Sequence, residues 1–169
     1  MTKSLSSLNS PLSSTKRQLK ILNSGPFADG DLETFQQKLE KSNQFPLSPT
    51  DLEIFQINVG YMCNQTCSHC HVDAGPDRKE IMSKENLQLC LDIIKKHNLK
   101  TVDLTGGAPE MNPRFFWFVE ELGKLNIEII VRSNLTIIEA NKKYHILPEF
   151  FKQNKVRVIS SLPFYTSSR

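Results

Sequence analysis

The chain has 169 residues and a mass of 19.3 kDa, is 38% hydrophobic and 23% charged, and so holds one modest domain with a real core. No segment approaches the ~20 apolar residues that a membrane span needs, which argues against a transmembrane protein and for a cytoplasmic one. The net charge is only +3, with acidic and basic residues interleaved beyond residue 28, so neither nucleic acid nor a membrane surface is an expected partner.

Residues 1–28 contain no Asp or Glu, are rich in Ser, and carry Lys3, Lys16, Arg17 and Lys20. They read either as an organellar targeting segment or as a mobile extension. Residues 31–41 place Leu32, Phe35 and Leu39 on one helical face and predict a short surface helix. A connector with Pro46 and Pro49 follows, so the division expected is an extension over 1–50 and a core over 51–169.

Regular alternation then begins. Residues 54–59 read as a strand bounded by Gly60, with the cysteine-bearing loop after it. Ser83 is a candidate N-cap for a helix to about residue 98, whose inner side would be Leu87, Cys90, Ile93, Ile94 and His97. A short strand over 101–104 ends at Gly106-Gly107-Ala108-Pro109-Glu110. Asn112 and Pro113 predict the cap and first turn of a helix with Phe115, Phe116, Val119 and Leu122 on its apolar side and one ring of the 115–118 run exposed. A strand over 127–131 precedes Arg132-Ser133-Asn134, and a helix over 146–152 leads to a strand over 156–159 and Ser160-Ser161. The β-α-β-α-β-α-β order specifies an α/β fold with parallel strands and right-handed crossovers. In such sheets functional groups gather at the carboxyl ends of the strands, where every unusual segment here falls.

Cys63, Cys67 and Cys70 stand in the spacing C-x3-C-x2-C, and Cys90 is the only other cysteine. Three bunched thiols do not make a secreted disulfide framework, so metal chemistry in a reducing compartment is expected. Three chemistries remain open on the loop alone. One is structural zinc, completed by His69 or His71. The second is an electron-transferring iron–sulfur cluster, and the third a four-iron cubane whose unligated iron binds a small molecule. Placement after the first strand favours the cluster. Cys90 reads as a small core residue, and His71 and Asp73 as residues that order the loop.

The cysteine spacing, with His69 where an aromatic ring is usual, and the Gly106-Gly107 turn at the next strand end resemble the radical-SAM superfamily (SAM, S-adenosylmethionine) over residues 53–163. Residues 58–76, with Asn58-Val59-Gly60-Tyr61 before the cysteines and His71-Val72-Asp73-Ala74-Gly75-Pro76 after them, more particularly resemble radical-SAM proteins with a Cys-rich C-terminal domain assigned to arsenosugar biosynthesis. The resemblance implies a partial (β/α) TIM-type barrel, of which about four βα units out of roughly six are present. It implies a [4Fe-4S] cluster on Cys63, Cys67 and Cys70, with SAM on the fourth iron and His69 against the adenine. Gly106 and Gly107 would admit the SAM amino group. The family's acidic residue follows the glycines directly; Ala108 stands there in this chain, leaving Pro109 and Glu110 as the candidate contacts. Ser133 and Asn134 would reach the SAM carboxylate or ribose from the third strand, and Ser161, with Ser160, from the fourth.

The activity implied is reductive cleavage of SAM to methionine and a 5′-deoxyadenosyl radical, driven by an electron donor such as flavodoxin or ferredoxin and directed at a small-molecule substrate. In the arsenosugar proteins the deoxyadenosyl group joins a methylated arsenic(III) species. Four legible strands and no Cys-rich domain suggest a truncated chain, completed by a second polypeptide. The alternative is a non-catalytic iron–sulfur or zinc-binding fragment.

Overall fold

Alternation along the strands gives the sheet two chemically different faces. The computed structural model describes residues 3–23, 33–67 and 70–161. Strands β1 (Ile54–Asn58), β2 (Thr101–Thr105), β3 (Glu128–Arg132) and β4 (Arg157–Ile159) pair in parallel, in the order β1-β2-β3-β4. A doubly wound sheet reverses its strand order at a switch point. Here each strand adds to the same edge, as in a TIM-type barrel, and the α/β partial barrel expected from the sequence is what forms.

The register lines up Phe55, Val102 and Ile129, and next to them Ile57, Leu104 and Val131, on the face that joins the hydrophobic core. The opposite face mixes Ile54, Ile130 and Ile159 with polar side chains. There Asp103, nearly inaccessible, accepts from Gln56 Nε2 at 2.9 Å and from Arg132 Nε and Nη2 at 3.0 and 2.8 Å. A buried carboxylate held by a guanidinium and an amide costs little compared with an unpaired one.

Helix α3 (Lys84–His97) starts at the Ser83 cap, whose hydroxyl accepts from the Asn86 amide at 3.3 Å, and ends at Asn98 in the left-handed region. Its buried residues are Leu87, Leu91 and Ile94. Ile93 and His97, expected inside, are exposed, and Cys90 is half-buried. At about 100° per residue Ile93 falls some 120° from Leu87, whereas Leu91 and Ile94 flank it closely. Helix α4 (Phe115–Gly123) buries Phe115, Phe118, Val119 and Leu122, while Phe116 and Trp117 are half-buried, so no ring of the run is fully exposed. Helix α6 (Leu147–Gln153) meets α4 through aromatic edges, with Phe115 and Phe151 at 6.2 Å and Phe116 and Phe150 at 4.8 Å.

Two further expectations change. Asn112 does not cap α4. It closes a 3-10 turn (Pro109–Met111), and its buried amide donates to the carbonyls of Val59 and Met82 at 3.0 and 3.1 Å while accepting from the Arg114 amide at 2.8 Å. The helix over 31–41 is shorter, α2 (Phe35–Lys41), started by a capping box between Thr34 and Gln37, and Leu32 lies outside the described residues. Among the described residues its apolar face is only partly covered: Phe35 is 70% exposed, Leu39 is half-buried and nothing on the helix is fully buried. Two further helices carry no clear periodic signal. Helix α1 (Thr15–Asn23) rests on good helix formers such as Lys16, Arg17, Gln18 and Lys20. Helix α5 (Thr136–Ala140) opens with β-branched Thr136, Ile137 and Ile138, which disfavour helix in isolation. Among the described residues no helix is long and apolar enough to cross a membrane.

Replacing Asn112 by Ala removes the side-chain donor shared by the Val59 and Met82 carbonyls and the acceptor of the Arg114 amide, leaving Val59 with only the Met82 amide at 3.0 Å. Chemical denaturation is expected to show a loss of about 1–3 kcal/mol with an unchanged denaturant slope.

Candidate functional site

Two loops at the carboxyl edge of the sheet hold each other by backbone hydrogen bonds. After β1, Gly60 donates to its neighbour Asn58 Oδ1 at 3.0 Å. The amides of Gly107 and Ala108, after β2, then donate to the carbonyls of Gly60 and Met62, both at 2.9 Å. The approach leaves no space for side chains: a Cβ on Gly106 would lie 2.4 Å from the Gly60 oxygen, and one on Gly107 2.4 Å from the Met62 oxygen. Gly106 also has φ of 140°, which L side chains rarely adopt. The rest of the loop folds back on itself, with the Cys63 amide on the Gly75 carbonyl at 3.1 Å and the Tyr61 amide on the Glu80 carbonyl at 2.9 Å.

This braced loop carries all three cysteines, each a free thiol. Cys63 is 6% exposed; Cys67 and Cys70 are half-buried. Burial pushes the Cys63 thiol up, the nearby Cys67 and Cys70 add to the shift, and the Gln65 amide and Asn134 side chain oppose it. Hydrogen-bond donors already face the sulfurs: Gln65 N at 3.4 Å from Cys63 Sγ, Ala74 N at 3.3 Å from Cys70 Sγ, and Asn134 Nδ2 at 3.5 Å from Cys63 Sγ. Cys90, away on α3, belongs to a different surface; burial alone raises its thiol. His69 lies outside the described residues, and His71 is exposed.

Beneath the glycine turn, Glu110 is 2% exposed and neither carboxyl oxygen has a hydrogen-bond partner among the described residues. Burial drives its pKa above the usual carboxyl range. The Ser133 hydroxyl lies near enough to oppose that shift, though outside hydrogen-bonding geometry. An unpaired buried carboxyl is costly and points to a missing cationic or donor partner. Pro109 is buried beside it and supplies the carbonyl that receives the Asn112 amide at 3.1 Å. Ser133 is buried and accepts from the Leu135 amide at 3.3 Å. Ser160 and Ser161 are exposed after β4.

Sequence reasoning passed over several polar residues here. Asn64 accepts from Asn134 Nδ2 and donates to Thr136 Oγ1, each at 2.9 Å. Asp73, expected only to order the loop, reaches much farther along the chain. Its oxygens accept from the amides of Leu5 and Ser6 at 2.6 and 2.7 Å, and Arg78 Nη1 pairs with it at 3.2 Å. Asp77 holds the same segment through the Ser4 amide at 3.1 Å and the hydroxyls of Ser4 and Ser7. The Ser7 and Ser4 hydroxyls draw the Asp77 carboxyl down to about 2. Residues 4–7 thus form a strap over the cysteine loop, and a cavity of about 190 Å³ between them is bordered by Leu5, Leu8, Thr66 and Cys67.

The model of the radical SAM superfamily matches residues 57–161, more than half of the chain. The chain belongs to the radical SAM superfamily. Its similarity to individual proteins is narrower. It is 28% identical over 85 residues to a probable GTP 3′,8-cyclase of Sulfolobus acidocaldarius, covering 50% of this chain and 27% of that protein. It is 30% identical over 77 residues to the probable GTP 3′,8-cyclase of Saccharolobus solfataricus, covering 46% and 25%. The chain therefore spans about a quarter of the length of the curated relatives it matches.

Radical SAM enzymes use a [4Fe-4S] cluster and SAM, and the residues present fit both. Among the described residues no group of three or more His, Cys, Asp or Glu side chains converges as for a metal ion. A cubane sets each thiolate on a separate iron, whereas zinc draws its ligands to within ~2.3 Å of one point. Free thiols with N–H donors aimed at them suit the cluster, and an unpartnered carboxyl just after the glycine turn suits an ammonium group.

Because the folded pKa of Glu110 is raised, its native state is most favoured with the carboxyl neutral and loses that stability as pH rises through the folded pKa. Glu110→Gln is therefore expected to melt higher than the parent chain at pH 8, with the gain disappearing toward pH 4. Asp73→Ala removes the acceptor for two amides; hydrogen exchange at Leu5 and Ser6 should accelerate about tenfold or more, with β2 amides unaffected.

Proposed function

We propose that the chain binds a [4Fe-4S] cluster through Cys63, Cys67 and Cys70 and uses it to cleave SAM. The observation that carries this reading is the mutual bracing of the three-thiol loop and the Gly106-Gly107 turn, through Gly107 and Ala108 amides on Gly60 and Met62 carbonyls. When bound, the reduced cluster and SAM supply one-electron cleavage of the sulfonium to methionine and a 5′-deoxyadenosyl radical.

The chain's own residues do the rest. Glu110 offers an unsatisfied carboxylate to the SAM ammonium, an ion pair that would return its pKa toward the ordinary range. Gly106 and Gly107 let the turn lie against the main chain of Gly60 and Met62, which leaves their backbone as the part that could meet SAM, and Pro109 follows in the same turn. Ser133 stands next to Glu110 as a hydroxyl for the SAM carboxylate, while Ser161 and His69 are reserved for the ribose and adenine. A flavodoxin- or ferredoxin-type donor delivers the electron.

For the acceptor, residues 58–76 support a methylated arsenic(III) species whose lone pair would form the As–C5′ bond with the deoxyadenosyl radical, one electron passing back to the oxidised cluster to leave arsenic(V), as in arsenosugar formation. The printed names of the relatives favour a second reading, a guanosine triphosphate substrate, although their similarity spans about a quarter of each of those proteins.

Anaerobic reconstitution with iron and sulfide, followed by dithionite and SAM, should give 5′-deoxyadenosine. Cys63→Ala, Cys67→Ala and Cys70→Ala should each lose the SAM-induced change in the cluster spectrum and reduce product at least a hundredfold. Adding trimethylated or dimethylated arsenic(III) should divert the deoxyadenosyl group into an arsenic-bound product, whereas consumption of GTP in its place would select the second reading. A cluster that never cleaves SAM would leave only an iron–sulfur fragment.

A further inference from the structure

The sequence suggests Asn134 as a SAM contact, but its side chain is committed elsewhere. Asn134 Nδ2 lies 3.5 Å from Cys63 Sγ and 2.9 Å from Asn64 Oδ1. Its Oδ1 accepts from the Ile137 amide at 3.1 Å and the Thr136 hydroxyl at 3.0 Å. The Ile137 amide is purely a donor, so the network fixes which end of the carboxamide is oxygen and turns the NH2 toward the sulfur. Asn64 Nδ2 on Thr136 Oγ1 at 2.9 Å closes the ring of contacts. Among the described residues this is the one side-chain N–H that faces a cysteine sulfur.

We infer that Asn134 is a positioning residue that keeps a hydrogen bond on the Cys63 sulfur and thereby raises the reduction potential of the cluster ligated there. The inference rests on the cluster reading of the preceding subsection. Reduction adds negative charge to the cluster and its thiolates. A donor aimed at one sulfur stabilises the reduced form more than the oxidised one, the effect that hydrogen bonds to cluster sulfurs have generally. Because Cys63 is the most buried of the three thiols, little solvent competes for that sulfur. The same carboxamide caps α5, so the end of β3 and the metal centre share one side chain.

The test is a redox titration of the reconstituted 169-residue chain without SAM, followed by electron paramagnetic resonance before and after SAM is added. Asn134→Asp keeps the acceptor for Ile137 and Thr136 but replaces the donor by an anion; Asn134→Ala loses both. Each should shift the potential negative by the equivalent of tenfold or more in the reduction equilibrium, about 59 mV for one electron. Thr136→Val, which leaves the Asn134 donor in place, should not. If Asn134→Ala fails to fold by circular dichroism, Asn134→Asp decides. Unchanged potentials with full iron content overturn the inference while sparing the proposed function. So does loss of only the SAM-induced spectral change, which would put Asn134 on SAM. A parent chain that takes up no iron overturns both.

Discussion

The amides of Gly107 and Ala108 hang on the carbonyls of Gly60 and Met62, and that pair of bonds joins the ends of two strands where no side chain fits. Sheet pairing alone aligns β1 and β2 but does not control the loops beyond them. The crossing converts a 20-odd-residue excursion into a braced structure, because Gly60 is also turned by Asn58, and Tyr61 and Cys63 are tied to Glu80 and Gly75. Asn112 fastens the underside by bonding to Val59 and Met82, the residues at which the excursion leaves and returns. The position of the thiols therefore follows from backbone bonds made by β2's exit turn. A Cβ at Gly107 would push against main chain rather than a flexible side chain, so the distortion would pass directly to the segment that carries Cys63.

That bracing lets the site keep polar groups that work against folding. Glu110 is buried without a partner, and Cys63 is a buried thiol whose ionisation burial opposes. Elsewhere the buried polar groups are satisfied: Asp103 by Gln56 and Arg132, Asp73 by Leu5, Ser6 and Arg78. The contrast localises the expense. Among the described residues the one unsatisfied buried side chain, Glu110, follows the glycine turn, as expected where stability is given up for ligand binding.

Much of the scaffold was legible because it is written in local patterns. Ser83 and Asn98 delimit α3, and alternating apolar residues fix β1 to β3 to within a residue or two. The glycine turn and cysteine loop were legible as chemistry and as strand-end segments. What escaped depends on contacts distant in sequence. Asn112 looks like a helix cap because Pro113 follows it, yet its amide is claimed by carbonyls 53 and 30 residues away. Helix α5 has a β-branched start that disfavours helix, and its first turn is held by the Ile137 amide on Asn134 Oδ1 at 3.1 Å. Asp73 and Asp77 look like loop residues; their partners are 67 to 73 residues upstream. No periodicity records such pairings.

The described site is assembled from β1, β2, β3 and the loops after them, and each part is held by another: thiols by the glycine turn, the turn by Asn112, Cys63 by Asn134, the loop's outer side by the strap at residues 4–7. β4 enters this network mainly through the Ile159 carbonyl, which receives the Ser133 amide at 3.0 Å; its Val158 is 37% exposed, and Ser160 and Ser161 face outward. The braced loops are thus concentrated on β1, β2 and β3. The similarity to the GTP 3′,8-cyclases covers about a quarter of those proteins. Such partial coverage is consistent with a shared radical-generating end on which different acceptors are imposed by other parts of a barrel. The glycine turn can change little without disturbing the thiol loop, because a Cβ at Gly106 or Gly107 would meet the Gly60 or Met62 carbonyl oxygen at 2.4 Å.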